Sequence, residues 1–175
     1  MNEKGRQAIS THFKTNRLGN APTFLQLTQA AKSLSSYSAA PFLGLDATLP
    51  QHRLGSGEVY RPLQDEYPVW YFAYGPLTNA DELAVILNTT EEPTYRAAVV
   101  HHARLLSANA ISGGDLMERV LGKAFLVDTA EKEESLRFSV TDKFEVVRCR
   151  ITFGEGGVTG ASTNALTFRY IGHDL

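Results

Sequence analysis

The sequence contains little cysteine, no long apolar run and almost no excess of charge of either sign. Cys149 is the only cysteine in 175 residues, which excludes an intrachain disulfide and a zinc site built from cysteines. The net charge is −2, so the chain lacks the positive field that typically attracts nucleic acids or anionic membranes. No stretch approaches the ~20 apolar residues of a membrane-spanning helix, and the first residues form no apolar signal segment. We therefore expect a soluble, cytoplasmic protein with no nucleic-acid or membrane partner, no metal and no cofactor.

The composition suffices for one folded domain, and the chain changes character near residue 66. Apolar residues make up 43% of the sequence and charged residues 21%, which is ordinary globular usage. Residues 1–66 are polar and rich in serine and alanine. We interpret them as an N-terminal extension that is helical over 22–36 and a loop over 38–64. It is either an exposed arm or a lid. As a lid, its apolar residues Phe42, Leu43 and Leu45 would cover the main domain or, in a homodimer, a partner chain.

Residues 67–175 have the pattern of a small α+β domain. The aromatic run 69–74 is typical of a strand and ends at Gly75 and Pro76, after which Asn79 can cap a short helix. Few helices and many strands with short connections predict an antiparallel or mixed sheet, closed as a small barrel. Further strands are predicted over 94–106, 120–127, 144–153 and 166–171, and a charged helix over 130–138.

The turn between the aromatic strand and the short helix has the most chemical promise. Its residues are Tyr74, Gly75, Pro76 and Leu77. A strand that breaks at glycine and leads into a helix exposes backbone N–H groups that point the same way. Such groups can bind a carboxylate or the oxygen of a carbonyl under attack. Most turns of this kind are only connections, and that alternative stays open from the sequence.

Residues 71–83, Tyr-Phe-Ala-Tyr-Gly-Pro-Leu-Thr-Asn-Ala-Asp-Glu-Leu, resemble the opening of the γ-glutamylcyclotransferase-like family in its AIG2-like branch. The segments 104–105, 120–127, 136–146 and 165–170 resemble later segments of that family, in the same order. The likeness extends over about residues 69–172 and leaves the first 66 unexplained. It implies a γ-glutamylcyclotransferase-like fold: a small mixed or antiparallel β-barrel with a few short helices and a cavity for a small molecule.

The resemblance also implies where a substrate binds. In the family a glutamate takes a proton from the α-ammonium group of the substrate, so that the amine attacks its own γ-carbonyl and closes a lactam. The turn Tyr74, Gly75, Pro76, Leu77 would hold that substrate, and Val140 stands at the position of the glutamate. Valine cannot exchange a proton, and losing a positioned base typically costs about 10²–10⁴-fold in rate. Pro76 also removes one N–H donor from the turn.

Asp142 is the candidate replacement for the missing acid–base group. If the segment is extended, the side chains of residues 140 and 142 point to the same side. The alternative is that Asp142 is only a turn residue before the next strand. We expect a small-molecule enzyme that forms, opens or isomerises a ring rather than performing γ-glutamyl cyclotransfer. The alternatives are a non-catalytic metabolite-binding relative of the same fold and an interaction protein that acts through its arm.

The strand over 144–153 carries two arginines and the cysteine. Arg148 and Arg150 share one face, which is either solvated or able to bind an anionic ligand. Cys149 lies on the opposite face and is expected to be a small buried apolar residue.

Overall fold

The computed structural model describes residues 11–12, 28–44, 49–50, 55, 57–115, 117–154 and 160–172. Within these residues, eight strands are numbered in chain order, and the two helices of the domain are α1 and α2. The strands are β1 (Ala31–Lys32), β2 (Val69–Ala73), β3 (Arg96–His101), β4 (Ala103–Ser107), β5 (Ala110–Gly113), β6 (Arg119–Val127), β7 (Phe144–Phe153) and β8 (Ser162–Tyr170). The helices are α1 (Ala80–Ile86) and α2 (Ala130–Val140), and a 3₁₀ turn covers Gly75–Thr78.

Five strands close a barrel in the order β7, β3, β6, β2, β8, and β8 pairs back with β7. The neighbouring strands are antiparallel except for β2 and β8, which are parallel. β1 adds a short parallel pairing to β7, and β4 and β5 form a separate hairpin. The α+β class and the small mixed barrel expected from the sequence are confirmed.

The alternation along β2 places its side chains in two buried clusters. Phe72 belongs to a cluster that contains residues from all five barrel strands. Tyr71 belongs to a second cluster, which packs against the helices through Leu83 of α1 and Leu136 of α2. Successive strand residues point to opposite faces, so one strand contributes to both clusters. The second cluster therefore joins the helices to the barrel.

The segment before the barrel differs from the sequence expectation. Residues 28–36 are not helical, so the helix predicted over 22–36 is wrong there, and the rest of that prediction lies outside the described residues. Instead, Ala31 and Lys32 pair with β7, because the hydrogen bonds that β7 supplies outweigh the intrinsic helix preference of alanine. Leu43 is buried in the barrel cluster and Leu45 lies outside the described residues, and the lid or arm role of this extension stays a prediction. The division of the chain at residue 66 stays a prediction.

Candidate functional site

One acidic side chain is buried among the residues that the structure describes, and it lies on α2. Glu133 is 3% exposed. Lys32 Nζ lies 2.8 Å from both of its carboxylate oxygens. The Tyr71 hydroxyl donates to Glu133 Oε1 at 2.5 Å, and the Tyr67 hydroxyl donates to Glu133 Oε2. The carboxylate therefore accepts four hydrogen bonds from three side chains, one in β1 and two in or just before β2.

Local structure explains how these side chains meet. Glu133, Leu136 and Val140 follow one another at the three- and four-residue spacing of a helix face, so all three point toward the second cluster. Thr129 caps this helix by accepting a hydrogen bond from the Lys132 amide, which places Glu133 in the first turn. The N-terminal end of a helix favours negative charge. The Glu133 carboxylate therefore faces the barrel from the N-terminal end of α2, where negative charge is favoured.

The segment carrying Lys32 is fastened directly to α2. The main-chain amide of Ala30 donates to the carbonyl of Arg137 at 2.9 Å. Arg137 Nε donates in return to the carbonyl of Ala30 at 2.7 Å. These reciprocal bonds fix the chain two residues before Lys32, and β1 pairing fixes it at Lys32 itself. The main chain that carries Lys32 is therefore held at Ala30 and at Lys32 itself.

Both tyrosine hydroxyls of this cluster remain protonated. Burial is the largest cause that raises the pKa of Tyr71, and the charge of Glu133 and its hydrogen bond raise it further. The pKa of Tyr67 is raised by burial first and then by the hydrogen bond to Glu133. The nearby Arg137 acts in the opposite direction on both tyrosines without reversing the shift. The two phenols therefore act as donors to Glu133.

Two cavities meet at Tyr67. One has a volume of about 220 Å³ and is bordered by Lys32, Glu133, Arg137 and Tyr67. The other has a volume of about 440 Å³, and Arg148 forms part of its wall. Gln64, Asp65 and Tyr67 line both cavities. A small molecule in either space can therefore contact Tyr67, which is half-buried.

The turn at 74–77 has structural explanations for its unusual residues. Gly75 has a φ of 57°, and a Cβ at this position would lie 2.5 Å from the carbonyl oxygen of Ala108 in the β4–β5 hairpin. Tyr74 is buried and its hydroxyl donates to the carbonyl of Phe168 at 2.6 Å. Burial also raises the pKa of Tyr74. This part of the turn is packed against the barrel and the hairpin.

The other half of the turn lies near the helices. Pro76 is exposed, whereas Leu77 and Val140 both pack at the edge of the second cluster. The carbonyl of Leu77 accepts a hydrogen bond from the Tyr95 hydroxyl at 2.7 Å. Tyr74, in contrast, belongs to the barrel cluster. The structure therefore divides the five residues expected to bind substrate, and their binding role stays a prediction.

Asp142 does not lie in an extended segment with Val140, which was the arrangement that made it a candidate acid. Val140 is the last residue of α2, Thr141 has a φ of 70°, and Asp142 is exposed in the turn that follows. The segment is not extended, because the helix continues to residue 140, so the alternation that aligned residues 140 and 142 does not apply. The role of Asp142 as a replacement acid stays a prediction without a supporting contact.

Sequence reasoning overlooked Glu133, although a signal was present. The helix was predicted over 130–138, and a helical face containing Leu136 and Val140 also contains Glu133. Glu133 lies two turns before Val140, which corresponds to about 10 Å along the helix axis. A carboxylate therefore lies on the same helix face as Val140, displaced along that face.

The two arginines of β7 have opposite environments. Arg150 is exposed, as a solvated face predicts, whereas Arg148 is fully buried. The solvated interpretation of Arg148 is wrong because main-chain carbonyls surround its guanidinium group, which donates to Ser35, Ala39, Ala40 and Pro62 among others. Cys149 is buried as expected, and burial raises the pKa of its thiol.

Comparison with known proteins gives a fold and no function. No family model and no curated protein matches the chain. The solution structure of the Arabidopsis thaliana protein At3g28950.1 is similar, with 18% identity, a TM-score of 0.51 and coverage of 63% of this chain and 66% of that one. At5g39720.1 from the same plant has 19% identity and a TM-score of 0.49 over 59% of this chain and 68% of its own.

Likeness at this level of identity concerns the fold alone. It supports the small α+β barrel, and the resemblance to the γ-glutamylcyclotransferase-like family stays a prediction. Within the described residues, no helix has both the length and the apolar character needed to cross a membrane.

Proposed function

We propose that this protein is a small-molecule enzyme on an AIG2-like, γ-glutamylcyclotransferase-like scaffold. Its reaction forms, opens or isomerises a ring and is not γ-glutamyl cyclotransfer, because the resemblance to that family aligns Val140 with its usual glutamate. Glu133 and Tyr67 carry the proton transfer in its place. The observation that supports this proposal is a buried carboxylate whose hydrogen-bonded tyrosine borders two cavities.

Tyr67 connects the carboxylate to a bound molecule. Its hydroxyl hydrogen points to Glu133, so the phenol oxygen retains acceptor capacity for an N–H or O–H of a ligand. When the ligand gives its proton to this oxygen, the phenol passes its own proton to Glu133. The reverse transfer returns a proton to the leaving atom. No free phenolate accumulates, which agrees with the raised pKa of Tyr67.

Lys32 and Tyr71 hold the carboxylate in place during this exchange. Lys32 contacts both oxygens, and Tyr71 donates to the oxygen that Tyr67 does not use. A base whose orientation is fixed by such partners pays little reorganisation when the proton moves. Lys32, Tyr71 and Glu133 are buried, which leaves the half-buried Tyr67 as the accessible member of the cluster.

A second candidate function is binding without catalysis. The four hydrogen bonds to Glu133 match the roughly four acceptor positions of a carboxylate, so its hydrogen-bonding capacity is already used. A buried ion pair of this kind also occurs as a purely structural element. In that case the cavities would hold a metabolite and Tyr67 would only contact it.

The deciding experiment compares binding with turnover. A panel of γ-glutamyl amino acids, other amino-acid amides, lactams and lactones is screened by thermal shift, and bound compounds are then incubated and analysed by chromatography and mass spectrometry. We expect Tyr67→Phe to keep its fold and its binding while losing turnover by about 10²–10⁴-fold. Tyr37→Phe is the matched control, since Tyr37 is 84% exposed.

Each outcome of this screen has a distinct meaning. Unchanged turnover in Tyr67→Phe contradicts the proton relay. Saturable binding near Tyr67 without conversion of any compound supports the second candidate. Robust formation of 5-oxoproline from γ-glutamyl amino acids shows that Val140 does not stand at the catalytic position, whereas its appearance only in Val140→Glu supports an intact scaffold. Absence of any binding contradicts both functions.

A further inference from the structure

Arg148 is a fully buried cation whose acceptors are main-chain carbonyls. Nε donates to Pro62 at 2.9 Å, and Nη2 donates to Ser35 at 2.9 Å. Nη1 donates to Ala40 at 2.9 Å and to Ala39 at 3.1 Å, with a longer contact of 3.4 Å to Ser38. Burial lowers the pKa of this guanidinium, and the charge of Glu66 opposes that effect.

These carbonyls belong to two segments that are distant in sequence and both lead to the Glu133 site. Residues 35–40 follow Lys32 by three residues, and Pro62 precedes Tyr67 by five. Arg148 therefore ties together the segment that carries the ammonium partner of Glu133 and the segment that carries its accessible phenol. Main-chain bonds of β7 strengthen the tie, because the Arg148 amide donates to Pro41 at 2.9 Å.

A second bridge joins the same two segments on the side of the cavities. The Gln64 side chain accepts a hydrogen bond from the Leu34 amide at 2.9 Å and donates to the Lys32 carbonyl at 3.1 Å. The two segments are thus joined twice, once by the guanidinium of Arg148 and once by the side-chain amide of Gln64. Tyr67 and Gln64 line both cavities.

We propose that Arg148 is a positioning residue of the Glu133 site. A buried guanidinium is tolerated only when its N–H groups have acceptors, and here they find acceptors only when both segments are in place. Its planar fork reaches carbonyls in several directions, which the single ammonium of lysine does not reproduce. Burial of Arg148 therefore couples the two segments and brings Lys32 and Tyr67 to the same carboxylate. The proposal rests on the Glu133 site of the proposed function but does not depend on catalysis there.

The test measures the coupling between Lys32 and Glu133, which a general loss of stability does not change. A double-mutant cycle with Lys32→Met and Glu133→Gln is measured by urea denaturation in the wild-type background and in Arg148→Lys. We expect the coupling between Lys32 and Glu133, expressed as an equilibrium constant, to fall at least about tenfold in Arg148→Lys. Two side chains show such coupling when they are in contact, and the substitution is expected to separate them. Arg150, the other arginine of β7, is exposed, so the control variant Arg150→Lys should leave the coupling between Lys32 and Glu133 unchanged.

Two results overturn the proposal. One is an unchanged coupling in a folded but less stable Arg148→Lys, which assigns the arginine a role in stability alone. If Arg148→Lys does not fold, amide hydrogen exchange of the wild-type protein decides. The amides of Leu34 and Leu63 lie in the two segments, and we expect their protection factors to agree within about tenfold because one opening event exposes both. A larger difference shows that the segments open independently and contradicts the proposal.

Discussion

Replacing Glu133 by glutamine removes one member of a buried ion pair without changing the size of the side chain. The side chain of Lys32 is 1% exposed and that of Glu133 is 4% exposed. In Glu133→Gln the ammonium of Lys32 stays buried with no carboxylate to neutralise it. The amide nitrogen also presents hydrogen atoms toward donors, so at least one of Lys32, Tyr67 and Tyr71 loses its acceptor.

The magnitude follows from the burial of the pair. Removing one partner of a buried salt bridge costs about 3–5 kcal/mol. For a chain of this length about 1 kcal/mol corresponds to roughly 2–4 °C in Tm, so the expected decrease is about 6–20 °C. Such a loss is a large part of the ~5–15 kcal/mol by which folded proteins are typically stable.

The assay is thermal and urea denaturation at neutral pH, followed by circular dichroism, with Asp128→Asn as the control. Asp128 forms an ion pair with Lys132 at 2.9 Å, but their side chains are 55% and 33% exposed. Exposed pairs of this kind contribute about 0–1 kcal/mol. The double variant Lys32→Met/Glu133→Met should recover most of the stability, because apolar replacement of both partners removes the unpaired charge.

A small effect would refute the reasoning. If Glu133→Gln costs no more than Asp128→Asn, then Lys32 is not confined with Glu133 in a water-excluded site. If the double variant is as unstable as Glu133→Gln, the loss comes from packing around α2 and not from the unpaired ammonium.

Three further predictions follow from the described contacts. Burial raises the pKa of Tyr71 above its ordinary value, and that of Tyr95 to about 12. Above about pH 10 the folded protein therefore keeps protons that the unfolded chain releases, so its stability is full below about pH 10 and falls as the pH rises through the raised pKa values. Urea denaturation between about pH 8 and 11 should show this fall in stability. A flat profile would contradict the prediction. Gly75→Ala should cost about 1–3 kcal/mol from its positive φ alone and more from the contact with Ala108. Gly57→Ala, where φ is 88° but no atom lies within 4 Å, isolates the first contribution, so equal losses in both variants would dismiss the contact. Cys149 should not react with a thiol reagent in the native protein and should react fully in denaturant; rapid native labelling would show that its burial is transient.

The barrel strands were predictable because their signals are local. Alternation over 144–153 and the aromatic run before Gly75 each occupy one element, and the structure contains β7 and β2 at those places. The cap at Asn79 is equally local, since its side chain accepts from the amides of Asp81 and Glu82. In each case the residues that produce the signal are neighbours in the chain.

The candidate site was less predictable because its members come from distant segments. Glu133 is recognisable as a buried residue from its helix face, but its partner Lys32 lies 101 residues away. Arg148 had the alternation of a strand residue, yet the same pattern fits a solvated side chain and a buried one. The segment over 28–36 has alanines that favour a helix, and pairing with β7 overrides that preference.

The sequence by itself predicted an α+β chain with a barrel of short strands, and its single cysteine excluded an intrachain disulfide. These properties depend on composition and on spacing within single elements. Only the tertiary structure decided that Glu133 is buried against Lys32, Tyr67 and Tyr71, and that Arg148 joins two segments through their carbonyls. The reason is physical: a buried charge is stable only beside its partners, and which partners reach it depends on how the barrel brings distant segments together.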